Sequence, residues 1–401
     1  MLRRMNTTIT TVIFWLFFSS IVLADQLRSA KSPFNPLQSG APDILLPQSK
    51  TPRPLTSEEQ QKLAAGLDEL DTQAQARLDA GDPVAAFDFW NRELRLRQVL
   101  GPLAEIAALQ QVGAIAWSQG QSKEVQVITQ RLQVLQQQAN VSSVDDVTLW
   151  QALGQSYQQL RAPQQAIQVY QRILDIQRRQ KQDITVQAET LKTIAELHLS
   201  WFEYPQAATT YEEVLSIDKS QGDRLNQKAD LQQLVYIYQQ ANQRQKAVAI
   251  QQQLAEFYLN NNDVGQLPRL RLAIAANYAS LGQTDEAFQN YQEAYASAWG
   301  LEQYNLAAEA LQKLIVFYRS QDQIDSALQA SQILLQAQER ANDDYGRMNA
   351  YDQIGQLFLK KGNYPEARVA FQSGLELAKQ LHYQEKYFAT QLMQATGRNT
   401  K

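Results

Sequence analysis

The 401-residue chain has no cysteine and only two histidines, His198 and His382. The absence of thiols excludes disulfides, a cysteine-linked lipid and thiol catalysis. Two isolated histidines argue against a His-rich zinc site. His198 stands where sibling segments carry Tyr or Phe, which reads as packing, and His382 falls in a turn between helices. No glycine-rich phosphate loop is present, since Gly222-Asp223-Arg224 reads as an inter-helix turn. The serines form no nucleophile elbow, and neither histidine is placed to activate one, so the sequence offers no support for an enzyme. A basic excess is missing too. The net charge is −4, from 37 basic and 41 acidic side chains, and would become −6 after loss of Arg3 and Arg4. That balance argues against nucleic-acid binding, which relies on a basic footprint.

Apolar runs are as scarce as cysteine, and the exception is Val12 to Leu23. It follows Arg3 and Arg4 and precedes Val22-Leu23-Ala24, a small-residue cleavage pattern, so residues 1–24 read as an export signal. The run is short for a membrane span, so no stable span is expected. The implied location is the periplasm or a lumenal compartment. Proline is also unevenly used. Pro33, Pro36, Pro42, Pro47, Pro52 and Pro54 are six of twelve, and residues 25–55 read as a disordered tether. Order should begin at Thr56, which with Glu59 forms a capping-box pattern. Residues 388–401 read as a capping helix and tail.

What the chain has in abundance is repetition. Ala166, Ala207, Ala247, Ala287, Ala327 and Ala367 follow one another by 41 and then 40, 40, 40 and 40 residues. Thirteen positions before each stands an aliphatic residue: Leu153, Ile194, Leu234, Ile274, Leu314 and Ile354. Nine before stand Tyr157, His198, Tyr238, Tyr278, Tyr318 and Phe358, and four after stand Tyr170, Tyr211, Tyr291 and Phe371, with Gln251 and Ser331 breaking the rule. Twelve before, the residue is usually small, as Gly154, Ala195 and Gly355, which lets two helix backbones approach. The apolar spacing of Leu231, Leu234, Val235 and Tyr238 is helical. Pro83, Pro163, Pro205 and Pro365 open second helices, and Gly81, Gly120, Gly282 and Gly362 suit a positive φ at the end of first helices. Each unit therefore reads helix, tight turn, helix.

Trp150, Leu153, Gly154, Tyr157, Ala166 and Tyr170 resemble the tetratricopeptide repeat pattern, and the copies around Ala207 and Ala367 keep part of it. Weaker copies surround Gly113 and Ala86. The resemblance covers residues 67–387, although its usual period is 34 residues; a period of 40 is similar to the longer-helix type. It implies an all-α, right-handed superhelical solenoid of about eight helix pairs, residues 56–387, whose groove binds a segment of a partner protein.

The family's inward positions map onto Gln110, Gln151, Gln155, Gln158, Gln159, Lys192, Glu196, Gln232, Tyr236, Gln239, Gln240, Gln312, Arg319 and Gln356, with Trp117 on the same face. Amides both donate and accept, so such a ladder suits an extended peptide backbone. The Ala287 unit interrupts it with Leu272, Ala276 and Ala279. The alternative for these glutamines is a solvated helix face. Lys192 is the one lookalike of the carboxylate-clamp lysine, and its asparagine partners are missing. In the first unit Asp68, Asp71 and Asp79 fall at helical spacing and offer oxygens for Mn²⁺ or Ca²⁺, or for a basic partner. The alternative is a solvated acidic face. No other cofactor is implied. Size, export signal and glutamine usage are similar to those of cyanobacterial exported tetratricopeptide assembly factors, which implies a role in photosystem II biogenesis. A metal carrier or a self-associating repeat protein are the rival expectations, with a monomer favoured over an oligomer.

Overall fold

The computed structural model describes residues 35–38, 43–47, 53–142 and 145–397. The expected export signal lies outside the described residues. Among those residues there are seventeen α-helices and no strand. The chain divides into two compact units, one up to Gln182 and one from Asp183. The first holds α1 (Ser57–Asp79), α2 (Pro83–Arg97), α3 (Pro102–Ser118), α4 (Ser122–Val141), α5 (Val147–Gln159) and α6 (Pro163–Arg179). The second begins with α7 (Ile184–Ser200), α8 (Tyr204–Gln221), α9 (Arg224–Gln240), α10 (Arg244–Asn260), α11 (Leu267–Ser280) and α12 (Thr284–Gly300). It ends with α13 (Tyr304–Ser320), α14 (Ile324–Arg340), α15 (Asp344–Lys360), α16 (Tyr364–Gln380) and α17 (Glu385–Gly397). Eight antiparallel pairs plus α17 thus stand where helix pairs were expected.

The device that makes the pairs is a left-handed residue after nearly every helix. In the second unit it recurs every twenty residues, at Phe202, Gly222, Asn242, Asn262, Gly282, Glu302, Asp322, Asn342, Gly362 and His382. The next amide then donates back five residues, as Asp223 N–H to the Asp218 carbonyl and Gln243 N–H to that of Tyr238, satisfying carbonyls the helix end would leave bare. Gly81, Gly120, Gly282 and Gly362 do have positive φ, between 65° and 79°. Phe202, Glu302 and Asp322 adopt the same conformation with a Cβ, at a cost of roughly 1–2 kcal/mol each. The chain tolerates it because the turn delivers the following helix onto the core.

That core is the one the repeat pattern implies. All six period-marking alanines are buried, as are Trp150, Tyr157, Tyr238 and Phe371. The small residue ahead of each turn sits against the aromatic of the second helix. A Cβ built on Gly154 would lie 2.9 Å from the Tyr170 ring, and one on Gly355 would lie 2.5 Å from Phe371. Where the aromatic is missing the space holds a satisfied polar group. Gln251 accepts from Asn277 Nδ2 at 2.9 Å, and Ser331 donates to the Ala327 carbonyl at 2.7 Å. At the far end α17 drives Phe388 against Gly374, which caps the last pair.

Two pieces of the proline-rich stretch, expected to be a disordered tether, are packed on helices instead: Pro36–Gln38 against α2 and α4, and residues 43–47 against α1 and α2. Pro36–Gln38 form a 3-10 turn that buries Leu37 and accepts hydrogen bonds from Arg95 on α2 and from Gln98, just past its end, at 2.8 and 3.1 Å. Asp43 takes a bidentate pair from Arg92 at 2.7 and 2.9 Å. Leu45 fills the space beside Gly66 on α1 and covers Leu63, Leu67 and Leu70. For Leu45 the physical reason is that among the described residues no helix pair precedes α1 and α2, so the apolar side formed by Leu63, Leu67 and Leu70 needs cover. The capping box on α1 forms as expected, with Glu59 N–H donating to Thr56 Oγ1 at 3.3 Å and Thr56 N–H to the Glu59 carboxylate at 2.8 Å.

Two outcomes follow from this packing. Gly355→Ala should destabilise the second unit by about 1–3 kcal/mol through overpacking against Phe371, read as a lower denaturation midpoint. The docked segment depends on Asp43, whose carboxyl lies below the ordinary range because Arg92 hydrogen-bonds it. Its docking should hold above that range and weaken as the pH falls through the lowered value. Hydrogen exchange over residues 43–47 should then accelerate, and Arg92→Ala should give the same acceleration at neutral pH.

Candidate functional site

A helix pair that buries two facing sides leaves a third side of its first helix bare. Two pairs of neighbouring first helices touch, α3 with α5 in the first unit and α11 with α13 in the second. On α5 that bare side is Gln151, Gln155 and Gln159, all exposed; on α3 it ends in Trp117, 51% exposed. Gln110 on the same helix is half-buried. In the second unit α9 presents Gln232, Tyr236, Gln239 and Gln240 at helical spacing, with Tyr236 48% exposed. Glu196 on α7 and Gln312 and Arg319 on α13 are exposed as well. The two sets lie in different units, so α5 and α9 supply two separate stretches of amide-bearing face.

Several expected ligand residues are spent inside the fold. Gln158 accepts from the Tyr170 hydroxyl at 3.3 Å, and Gln232 donates to that of Tyr258 at 3.2 Å. Gln136 and Gln252 serve Tyr157 and Tyr278 in the same way, so part of the glutamine excess satisfies tyrosine hydroxyls at the core edge. Gln356 is turned toward Gln391 of α17 at 3.0 Å. Leu272 is buried rather than facing outward, while Ala276 and Ala279 are exposed. His198 is only partly a packing residue, because its Nδ1 lies 2.6 Å from Glu203. His382 is exposed, as expected of a turn.

Lys192 departs furthest from its expected role. Its Nζ lies 3.2 Å from Asp218 of α8 and 4.0 Å from Asp230 of α9, both buried carboxylates. It neutralises an internal acidic pair and is not a free cation for a partner's carboxylate. Sequence spacing gives no signal for this, because the three residues come from three helices. Burial and the adjacent Asp218 push the Asp230 carboxyl up to about 7, against the opposing pull of Lys192.

The expected acidic metal site is not assembled. Asp71 accepts from the buried Trp90 indole at 2.9 Å, Asp79 accepts from Gln75 at 2.7 Å, and Asp68 stays exposed on the turn below. Among the described residues no group of three His, Cys, Asp or Glu side chains is gathered for a metal ion. The reason is geometric: the three acids climb one straight helix, and no neighbour brings them to a point.

Two clefts accompany the helical faces in the second unit. One, of about 400 Å³, lies between α13 and α15 and is lined by Val316, Arg319, Gln356 and Lys360. Val316 is 63% exposed there, and Lys360 pairs with Asp322 at 2.6 Å. The other, of about 530 Å³, lies where the starts of α11 and α13 meet the end of α14. Among the described residues no helix is long and apolar enough to cross a membrane.

Residues 149–185 match the tetratricopeptide repeat family model. The matched stretch is the α5–α6 pair, which carries the Trp150–Tyr170 pattern, and the other helix pairs repeat the same helix–turn–helix plan. No curated protein matches the chain. Among solved structures it is similar to BtubC from P. vanneervenii, at 17% identity and a TM-score of 0.35 over 55% of this chain and 92% of that one. A signal-transduction ATPase with a tetratricopeptide repeat sensor from Pyrococcus horikoshii gives 12% and 0.40 over 86% of this chain and 50% of that one. The quorum sensor NprR from B. thuringiensis, in its apo form, gives 16% and 0.32 over 73% and 80%. This chain thus spans half the length of the ATPase. Likenesses at this level carry nothing about partners.

The Asp218–Asp230 pair makes a pH dependence. An Asp raised toward 7 in the folded state holds its proton where the unfolded chain, near 4, has lost it. This group's contribution to stability should therefore be fullest below the ordinary carboxylate range and be lost as the pH rises to about 7, opposite in sign to that of carboxylates such as Asp43. Asp230→Asn should flatten that slope between pH 4 and 7, read by chemical denaturation of the chain.

Proposed function

We propose that this protein is a non-catalytic, monomeric scaffold that binds an extended segment of a partner protein along the exposed faces of its first helices. The observation that carries the proposal is the α9 face. Tyr236, Gln239 and Gln240 stand exposed there, and among the described residues none is hydrogen-bonded to another side chain. An aromatic anchor beside free amides is the chemistry an extended peptide needs. The ring fills a pocket between side chains, and the amides pair with a peptide backbone without requiring a charge. Gln151, Gln155 and Gln159 with Trp117 repeat the combination in the first unit. The tetratricopeptide match at residues 149–185 supports the same reading, as does the resemblance of the wider repeat pattern.

The finer form of the proposal is an exported assembly factor acting in photosystem II biogenesis. Its support is the sequence alone: the leader pattern in residues 1–24 and the glutamine usage resemble those of exported assembly factors of that kind. Export would place the chain in the periplasm or a lumen.

The test is capture from the source organism's membrane and periplasmic extract with tagged chain, quantified by mass spectrometry. A dominant partner should be recovered, and Tyr236→Ala with Gln239→Ala should reduce its recovery by about tenfold or more, the loss of one binding hot spot. Equal recovery by the variant would remove the α9 face from the reading. Sedimentation of the purified chain should give one monomeric species.

A further inference from the structure

Ahead of the last helix, the twenty-residue rhythm of the second unit breaks at one place. After α10 the left-handed residue arrives on time at Asn262, and the next helix is due at position 264. Instead Val264–Gln266 wind as a 3-10 turn and α11 starts at Leu267, with Pro268 in its first turn. The displaced turn opens the cleft of about 530 Å³, a size typical of small-molecule sites. Gln303 pins its far wall by donating to the Gly265 carbonyl at 2.9 Å, across 38 residues of chain.

Two guanidinium groups line this cleft, Arg269 from α11 and Arg340 from the end of α14. Arg340 is held by aromatic rings rather than by acid. It lies 5.4 Å from the ring centre of Tyr304 and 6.0 Å from that of Trp299, and it donates to the Tyr304 hydroxyl at 3.2 Å. Stacking fixes the position of a cation without neutralising it. Among the described residues neither arginine forms an ion pair, although the chain as a whole is acidic. Glu302 is the one carboxylate in the lining and stands on the exposed left-handed turn. The uncapped start of α13 and the end of α14 both enter the cleft, so the helix ends oppose one another and its positive charge rests on the two arginines.

We infer that this cleft is a ligand site, distinct from the first-helix faces, for a small molecule bearing a phosphate or carboxylate group, bound by Arg269 and Arg340. Both groups offer paired oxygens to a planar guanidinium, which is what the two arginines select. The displaced α10–α11 turn supplies the room, and the Trp299–Tyr304–Arg340 stack supplies the fixed charge.

Trp299 provides the readout, since an anion on Arg340 alters the cation stacked against its ring. The intact chain is titrated separately with inorganic pyrophosphate and with citrate, following tryptophan fluorescence and the melting midpoint at low ionic strength. Saturable quenching or enhancement by either is expected, lost in Trp299→Phe, together with a rise in the midpoint. Arg269→Gln, at an exposed position, should weaken binding by about tenfold, and Glu302→Gln should tighten it. A response to pyrophosphate alone assigns a phosphate ligand, and one to citrate alone a carboxylate. No saturable response to either by about 10 mM, or equal affinity in Arg269→Gln, would overturn the site.

Discussion

The structure depends on how each helix stops. An α-helix leaves its last carbonyls unsatisfied, and here a single left-handed residue turns the chain so that the next amide reaches back five positions to one of them. In the second unit that turn takes three residues and most helices seventeen, so successive helices start about twenty residues apart and lie antiparallel. Every other feature inherits that spacing. It places the same side of each first helix against the second, and so leaves the same third side bare along each unit. Where Glu302 or Phe202 must adopt the left-handed conformation, the chain accepts local strain to keep the rhythm.

The rhythm also explains how polar residues are used. Tyrosines at the recurring position reach past the apolar core, and their hydroxyls meet glutamines of the neighbouring helices, as Tyr157 meets Gln136 and Tyr278 meets Gln252. Glutamine thus serves two purposes in one fold: some copies finish the core, and others remain on the exposed face. Lys192 belongs to the first kind, because two helices bring Asp218 and Asp230 to it. The ends of the array obey the same logic. Leu45 covers the apolar side of the first pair, and Phe388 covers the last.

The candidate sites divide according to how local their cause is. The exposed stripe on α9 was legible as spacing, because any residue four or seven positions from Gln232 on a helix shares its side. The commitment of Gln158, Gln232 and Lys192 to internal partners was not legible, since each partner lies on a different helix 12 to 26 residues away. The acidic run in α1 failed for the complementary reason. Correct spacing along one helix does not bring Asp68, Asp71 and Asp79 to a point unless a second element crosses them. The arginine cleft was invisible for a third reason: Arg269 and Arg340 are 71 positions apart, and only the displaced start of α11 makes room between them.

By itself the sequence determined the helix pairs, their forty-residue period, the glycine turns and the buried alanines, since all of these follow from contacts and dihedral preferences within one unit. Only the tertiary structure decided which polar side chains remain available. A side chain is free or spent according to what a neighbouring helix puts beside it, and that is set by packing between elements rather than by position along one. The docking of residues 35–38 and 43–47 belongs to the same class: proline content described that backbone, but α2 with α4 in the first case, and α1 with α2 in the second, decided where it lies.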